Sequence, residues 1–399
     1  MSGKAGQVNV VGIITSGVVA LFITVILTAG IRRTTLRRRG PDRPDGRKRP
    51  ARPMPYLGGV VTVLSVTGVG WAGSELGLAE PGAPVLPLLA VSGAVAAFGL
   101  VHDLKPLNPW LRLAAQAVAA AVFVSFAGLS PVMAVLAALW IVFLTNAFST
   151  LDNSDGAMAT VAVVTATGLL VCAVLDGRSG VVLLLAVLVA ALTGSLVHNR
   201  HPARIFPGEC GSLFTGFVLA GSVVLLHAAA PPERAAWVAL PVLMVVAVAD
   251  TALVLVSRRR ASRPLLPDGG DHIAHRLRRI RFTAPGVAVV LGFGAVVGAL
   301  TGTLVYAGLL HPLAGLVPSA GALLAVFALL RIPVYGGAPR RSARPAGRRK
   351  PPGKTTGAVG AAVPPPASTP TSSTAAASGR TVPPPPNGRP ATELAAGRG

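Results

Sequence analysis

Cysteine is almost missing from this chain: 399 residues carry two, Cys172 and Cys210. Two cysteines exclude a zinc set and a disulfide framework, and Cys172, inside an apolar run, reads as packing. Charge is scarce too. Charged residues make up 13% against 52% hydrophobic, with a mean hydropathy of +0.65, which excludes an ordinary soluble domain. Aromatic residues are 5% of the total, and no basic stretch is interleaved with them. The net charge of +22 therefore does not point to nucleic acid.

What the chain has instead is apolar runs of about 20 residues, the length that crosses a bilayer as a helix. The first, 8–31, runs straight into arginines with no small-residue cleavage pattern, so it reads as an uncleaved membrane helix. Further runs lie near 57–75, 85–101, 111–128, 132–147, 157–175, 181–198, 211–230, 235–256, 284–307 and 312–332. The expectation is an all-α polytopic membrane protein of eleven transmembrane helices. Ten Lys/Arg lie between Arg32 and Arg52 and eight Arg between Ser257 and Phe282, whereas the alternate loops carry few. Basic loops stay in the cytoplasm, which places the N-terminus outside and the C-terminus inside. The domain reading is a membrane domain over 1–334 and a Pro/Ala/Arg-rich tail over 335–399, expected to be disordered because it has too little apolar surface to offset ordering.

Acidic residues number 14, and eight of them fall in the expected cytoplasmic loops: Asp42, Asp45, Asp103, Asp152, Asp155, Glu209, Asp268 and Asp271. Topology does not explain this, because acids are nearly indifferent to side. Asp152 and Asp155, three apart, are expected on one side of a helical turn, where their repulsion invites a divalent cation; Mg²⁺ is commonly held by one or two carboxylates plus substrate phosphates. Asp250 lies inside an apolar run, where a carboxylate marks a polar cavity or a helix–helix hydrogen bond. Gly208 and Gly211 flank Glu209 just before a helix, whose free N–H groups suit phosphate. His272 and His275 are expected to share a helical face near arginines, where they could meet a polyphosphate.

In order along the chain, these residues resemble the polyprenyl-phosphate N-acetylhexosamine-1-phosphate transferases, glycosyltransferase family 4. Asp45-Gly-Arg-Lys-Arg-Pro-Ala-Arg-Pro-Met-Pro-Tyr-Leu-Gly-Gly is similar to the family's RK followed by P-x-P-x-x-GG. Asn146 with Leu151-Asp152-Asn153-Ser154-Asp155-Gly156 is similar to its N-(x)n-D-N-x-D-G, and Arg204-Ile-Phe-Pro-Gly-Glu-Cys-Gly-Ser-Leu-Phe to its K/R-I-F-x-G-D-x-G-S-L-F. Asp250-Thr251 matches a membrane-embedded D-T, and Asp271-His272-Ile-Ala-His275-Arg276-Leu an H-x-H-H-R-L. The resemblance implies transfer of a sugar-1-phosphate from a UDP-sugar to a polyprenyl phosphate in the cell membrane, with release of UMP and with Mg²⁺ as cofactor. The entry to the GlcNAc-1-phosphate branch rests on the Pro267-Asp268…His272…His275 loop and Arg47-Lys48, with undecaprenyl or decaprenyl phosphate as acceptor. It implies His102, Asp103, Asp152 and Asp155 as catalytic residues and Asp152, Asp155 and Glu209 as metal ligands. Lys48, Asn146, Asn199, Arg204, Asp250, His272, His275 and Arg276 are implied in substrate binding, and a homodimer is the expected assembly.

Four positions depart from the family pattern. His102 stands where an Asp is usual, Glu209 replaces Asp, Ser149 replaces a second Asn and Ala274 replaces the middle His. Two alternatives therefore stay open beside the enzyme: a catalytically impaired paralogue that binds polyprenyl phosphate or a partner glycan-synthesis protein, and a transporter. The polar residues crowd one face and no repeat between halves is visible, which counts against the transporter. On the resemblance alone, His102→Asp and Glu209→Asp are expected to be tolerated.

Overall fold

The computed structural model of the protein describes residues 9–38, 57–78, 84–264 and 270–334. Lys48, Asp268 and the tail from 335 lie outside the described residues. Those described form helices α1 (Val10–Arg38), α2 (Gly58–Glu75), α3 (Val85–Leu104), α4 (Pro109–Ser125), α5 (Pro131–Leu151), α6 (Ala157–Leu175), α7 (Ser179–Asn199), α8 (Gly208–Ala229), α9 (Ala236–Leu243), α10 (Val245–Arg260), α11 (Ile273–Arg279), α12 (Ala284–Tyr306) and α13 (Leu316–Leu330), with no strand among them. Local chemistry sets several starts. Asn108 accepts the Trp110 N–H at 2.9 Å with Pro109 next in line, and Thr283 accepts the Gly286 N–H at 3.2 Å.

Each of the eleven apolar runs is helical. Eight described helices are long and apolar enough to cross a membrane, and a ninth crossing is available if α9 and α10 count as one. Those two are bent by 71° at Met244, so the run read as a single span is broken. Pro241 lies inside α9, whose helix continues past it to Leu243, and the break follows at Met244, where the backbone leaves helical geometry. α4 is shorter, and α2, despite its 18 residues, does not qualify.

α8 is the axis of the bundle. Every residue from Cys210 to Leu226 is buried, the pattern of a helix that is apolar all round and surrounded by neighbours. α2, α3 and α5 pack along it, while α1 lies on α7, α6 bridges α7 and α12, and α10 packs on α5 and α13. At the end of α6, the Tyr306 hydroxyl of α12 donates to Asp176, and Arg234 Nε lies 3.2 Å from the same carboxylate. The N-terminal end of α8 lies where α2 begins and where α3 and α5 end.

Candidate active site

The first turn of α8 is built by close backbone approach. Gly58 and Gly59 donate their N–H groups to Phe206 O and Pro207 O, each at 3.0 Å. A Cβ on Gly59 would stand 2.2 Å from Gly211 N, and one on Gly99 would stand 2.7 Å from Glu209 O. One turn beyond Gly99, Asp103 reaches across. Its Oδ1 accepts the Glu209 N–H at 3.0 Å and its Oδ2 the Cys210 N–H at 3.1 Å. Pro207, at the cap position, makes no side-chain cap. A carboxylate from 106 residues away thus satisfies two orphan amides at the positive end of the helix.

Glu209 is held in turn. Arg112 of α4 donates Nη1 to its Oε1 at 2.8 Å, and the Ser149 hydroxyl of α5 lies 3.1 and 3.0 Å from its two oxygens. These contacts enclose a polar cavity of about 480 Å³ lined by His102, Asp103, Asp152, Asn153, Glu209 and His272, with Ser149, Phe206 and Ser212 among its other walls. Withdrawal from solvent, followed by the charge of Glu209, pushes the Asp152 carboxyl well above the usual carboxylate range; a hydrogen bond from the Gly208 backbone opposes this and the charge of Asp103 adds to it. Asn153 donates to Thr150 O at 2.6 Å, while its buried Oδ1 has no partner.

Asp155 is placed elsewhere. The chain leaves the helix at Leu151, so residues 152–156 form turns and the two aspartates do not share a helical side. Asp155 Oδ2 accepts from the Ala203 N–H at 3.2 Å and lies 2.6 Å from His201 Nδ1, outside the cavity lining. Asn199 ties the same two segments, accepting the Gly156 N–H at 2.8 Å and donating to Ile205 O at 3.0 Å. Asn146 donates to Gln116 Oε1 and Val142 O in the α4–α5 contact, and Arg204 is exposed.

The α10–α11 segment closes the cavity's far wall. Asp250, 1% exposed, lies with Oδ2 2.9 Å from His272 Nδ1, and its Oδ1 accepts the Ile273 N–H at 2.7 Å. The intramembrane carboxylate thus fastens the loop that carries His272. His272 stands at the extended cap position just before α11, so it does not share a helical face with His275. His275 lies beside it with ring centroids 6.1 Å apart and a buried, unpartnered Nδ1; burial, then the charge of His272, lowers its pKa. Arg276 is 2% exposed and turned away from the cavity: Nη1 donates to Leu329 O and Ile332 O at 2.8 and 2.7 Å, and Nε to Asp271 O at 3.1 Å. Asp271 accepts from Arg258 at 2.9 and 3.0 Å.

The fold therefore gathers His102, Asp103, Asp152, Glu209 and His272 into one cavity and leaves Asn146, Asp155, Asn199 and Arg276 in supporting contacts. Among the described residues, no three His, Cys, Asp or Glu side chains form a metal cage. The oxygen donors of Asp152 and Glu209 on one cavity, with Asp152 already strained by its neighbour's charge, suit a hard cation that takes its remaining ligands from phosphate and water. Arg112 and His201 escaped the sequence reading.

The comparisons with known proteins identify the family. A family model described as glycosyl transferase family 4 matches residues 85–227, which contain four of the five cavity residues named above. A Streptomyces coelicolor protein, named a glycosyltransferase on a provisional basis, is 45% identical over 332 residues, 83% of this chain and 79% of the relative. Decaprenyl-phosphate N-acetylglucosaminephosphotransferase of Mycolicibacterium smegmatis is 31% identical over 306 residues, 66% of this chain and 75% of the relative. Phospho-N-acetylmuramoyl-pentapeptide-transferase of Limosilactobacillus fermentum is 28% identical over 197 residues, 43% of this chain and 60% of the relative. With its apolar helices and this similarity, the protein is a multi-pass membrane protein, and the chain belongs to glycosyl transferase family 4.

Proposed function

We propose that the protein transfers a sugar-1-phosphate, GlcNAc-1-phosphate, from a UDP-sugar to a polyprenyl phosphate, releasing UMP as the first membrane step of a cell-envelope glycan. The observation that carries this reading is the cavity of carboxylates and histidines at the helix ends, together with an apolar groove on α10, the helix that carries Asp250. That groove, about 310 Å³, runs between α5, α10 and α13 past Trp140, Val245, Ala249, Ala252 and Val326. Ala249 and Ala252 flank Asp250, whose carboxylate holds His272 on the polar cavity. A lipid phosphate lying in the groove would thus meet the polar site with its head group. The broader similarity to the GlcNAc transferase than to the muramoyl-pentapeptide transferase supports the sugar.

In the reaction, an oxygen of the lipid phosphate attacks the sugar-linked phosphorus, and the bond to the UMP oxygen breaks with its electron pair leaving on UMP. Asp103 fixes the first turn of α8, and Arg112 and Ser149 orient Glu209. Asp152 and Glu209 are the residues that would hold Mg²⁺ together with substrate oxygens. Bound there, Mg²⁺ supplies charge neutralisation between two polyanions. The arginines of 258–263 and 276–281 lie at this end of the bundle and support a cytoplasmic site. A second reading, an impaired paralogue that only binds, is favoured by one contact: Glu209 already has a cation in Arg112.

Membranes containing the protein, given radiolabelled UDP-GlcNAc, are expected to yield label in the lipid extract. Labelling from a muramoyl-pentapeptide donor but not from UDP-GlcNAc contradicts the substrate, and no labelling from any UDP-sugar favours the binding reading.

A further inference from the structure

We infer that the two histidines on the cavity are held in opposite neutral tautomers, so that His102 presents a hydrogen-bond donor and His272 an acceptor to the phosphates of the proposed reaction. The functional half of this inference rests on that reaction; the Nδ1 assignments rest on geometry, and the neutral state of His272 is part of what is inferred.

His102 lies in the last turn of α3. Lys105 caps that helix in an extended conformation and the chain turns back, which brings the Leu107 N–H to 3.0 Å from His102 Nδ1. A backbone N–H can only donate, so Nδ1 must carry the lone pair. In a neutral ring the proton then sits on Nε2. The other tautomer would set two N–H groups against each other at that distance. His102 therefore offers the cavity it lines an N–H and no lone pair.

His272 is the reverse case. Its Nδ1 faces Asp250 Oδ2 at 2.9 Å, and the second carboxylate oxygen is taken by the Ile273 N–H at 2.7 Å. His272 and Asp250 are 4% and 1% exposed, which leaves no bulk water to exchange for either partner. A carboxylate accepts, so Nδ1 carries the proton, and in the neutral ring Nε2 holds the lone pair. A buried acid that orients a histidine's far nitrogen as an acceptor is the arrangement used for general bases.

The division of labour follows. An ionised phosphate oxygen is a good partner for His102 Nε2–H and a poor one for His272 Nε2. A phosphate O–H is the opposite. When the lipid phosphate arrives as its monoanion, its proton passes to His272 Nε2 and the freed oxygen forms the new P–O bond. The P–O bond to UMP breaks and UMP carries the charge away. Asp250 balances the resulting imidazolium until the proton returns to solvent. His102 keeps its proton throughout and bonds a phosphate oxygen of the nucleotide. An aspartate at 102 would offer only lone pairs there, so His102→Asp is not a benign exchange.

Ring-nitrogen NMR of the full chain, labelled with ¹⁵N-histidine in lipid nanodiscs at about pH 8, where an unperturbed imidazole is neutral, tests this directly. His102→Gln and His272→Gln provide the assignments. The expected spectrum has His102 protonated at Nε2 and His272 at Nδ1, and UDP added as a probe shifts the His102 N–H. The same protonated nitrogen on both rings, or a bare Nε2 on His102, overturns the inference. In turnover, His102→Gln keeps an N–H near the same place and is expected within about tenfold of wild type, whereas His102→Asp loses about 10²-fold or more. An aspartate variant as active as wild type, beside an inactive glutamine variant, overturns the donor role. Should wild type make no product, the proposed reaction fails while the NMR still decides the tautomers.

Discussion

Replacing Glu209 by Asp brings the site nearer the motif the family resemblance rests on and is nonetheless expected to harm it. The exchange shortens the arm by one methylene, about 1.5 Å. Arg112 Nη1 and the Ser149 hydroxyl, now at 2.8 Å and at 3.0–3.1 Å from the carboxylate, then fall out of hydrogen-bond range. Hydrogen bonds to charged groups contribute about 1.5–3 kcal/mol each. The side chains of Arg112 and Glu209 keep 10% and 17% of their exposure, so solvent screens the pair and about 1–2 kcal/mol is the expected loss. That corresponds to a fall in Tm of about 1–3 °C, with turnover reduced about tenfold as the carboxylate loses its orientation. The assay is thermal unfolding of the purified protein across Glu209→Asp, Arg112→Gln and the double variant. The double variant should be little worse than either single, a coupling of about 1–2 kcal/mol. Additivity within about 0.3 kcal/mol, or a higher Tm for Glu209→Asp, would refute the reasoning.

Three further outcomes follow from the same geometry. Gly99→Ala puts a methyl 2.7 Å from Glu209 O and should destabilise the fold by about 1–3 kcal/mol while displacing the first turn of α8; unchanged Tm and activity would show that the α3–α8 contact is looser. Burial and Glu209 raise the Asp152 pKa above its ordinary 3.8. The stability it contributes is therefore complete below 3.8 and lost as pH rises through the folded value. In metal-free protein Tm should fall over that interval; Asp152→Asn should flatten the profile, and an unaltered profile would contradict the assignment. Arg276→Lys cannot span Asp271 O, Leu329 O and Ile332 O, so Tm should drop by the equivalent of about 2–4 kcal/mol with KM for the nucleotide-sugar unchanged; a raised KM at constant Tm would make Arg276 a substrate ligand after all.

Hydropathy made the helices legible, because a bilayer-length apolar run has few alternatives to a helix. It did not reveal the bend at Met244, because the apolar run passes through that position without interruption. The motifs led to His102, Asp103, Asp152, Glu209 and His272. They did not separate residues that face the cavity from residues that fasten the loops around it. Asp155 and Asn199 look like ligands in a motif, yet their partners, His201 and the Gly156 N–H, are set by how two loops meet 40-odd residues apart. Arg112 was illegible for a similar reason. An arginine in the first turn of an apolar helix reads as an interface anchor, and its partner lies 97 residues away. Asp250 was recognisable as costly where it stands, but only the fold shows that its two oxygens go to His272 and Ile273.

The most direct test of the central claim is UMP release by the purified protein supplied with UDP-GlcNAc, polyprenyl phosphate and Mg²⁺. The account predicts release that requires both substrates, stops when the metal is chelated and is abolished in Asp152→Asn. Release that persists without the lipid phosphate, or equal rates in wild type and Asp152→Asn, would contradict it.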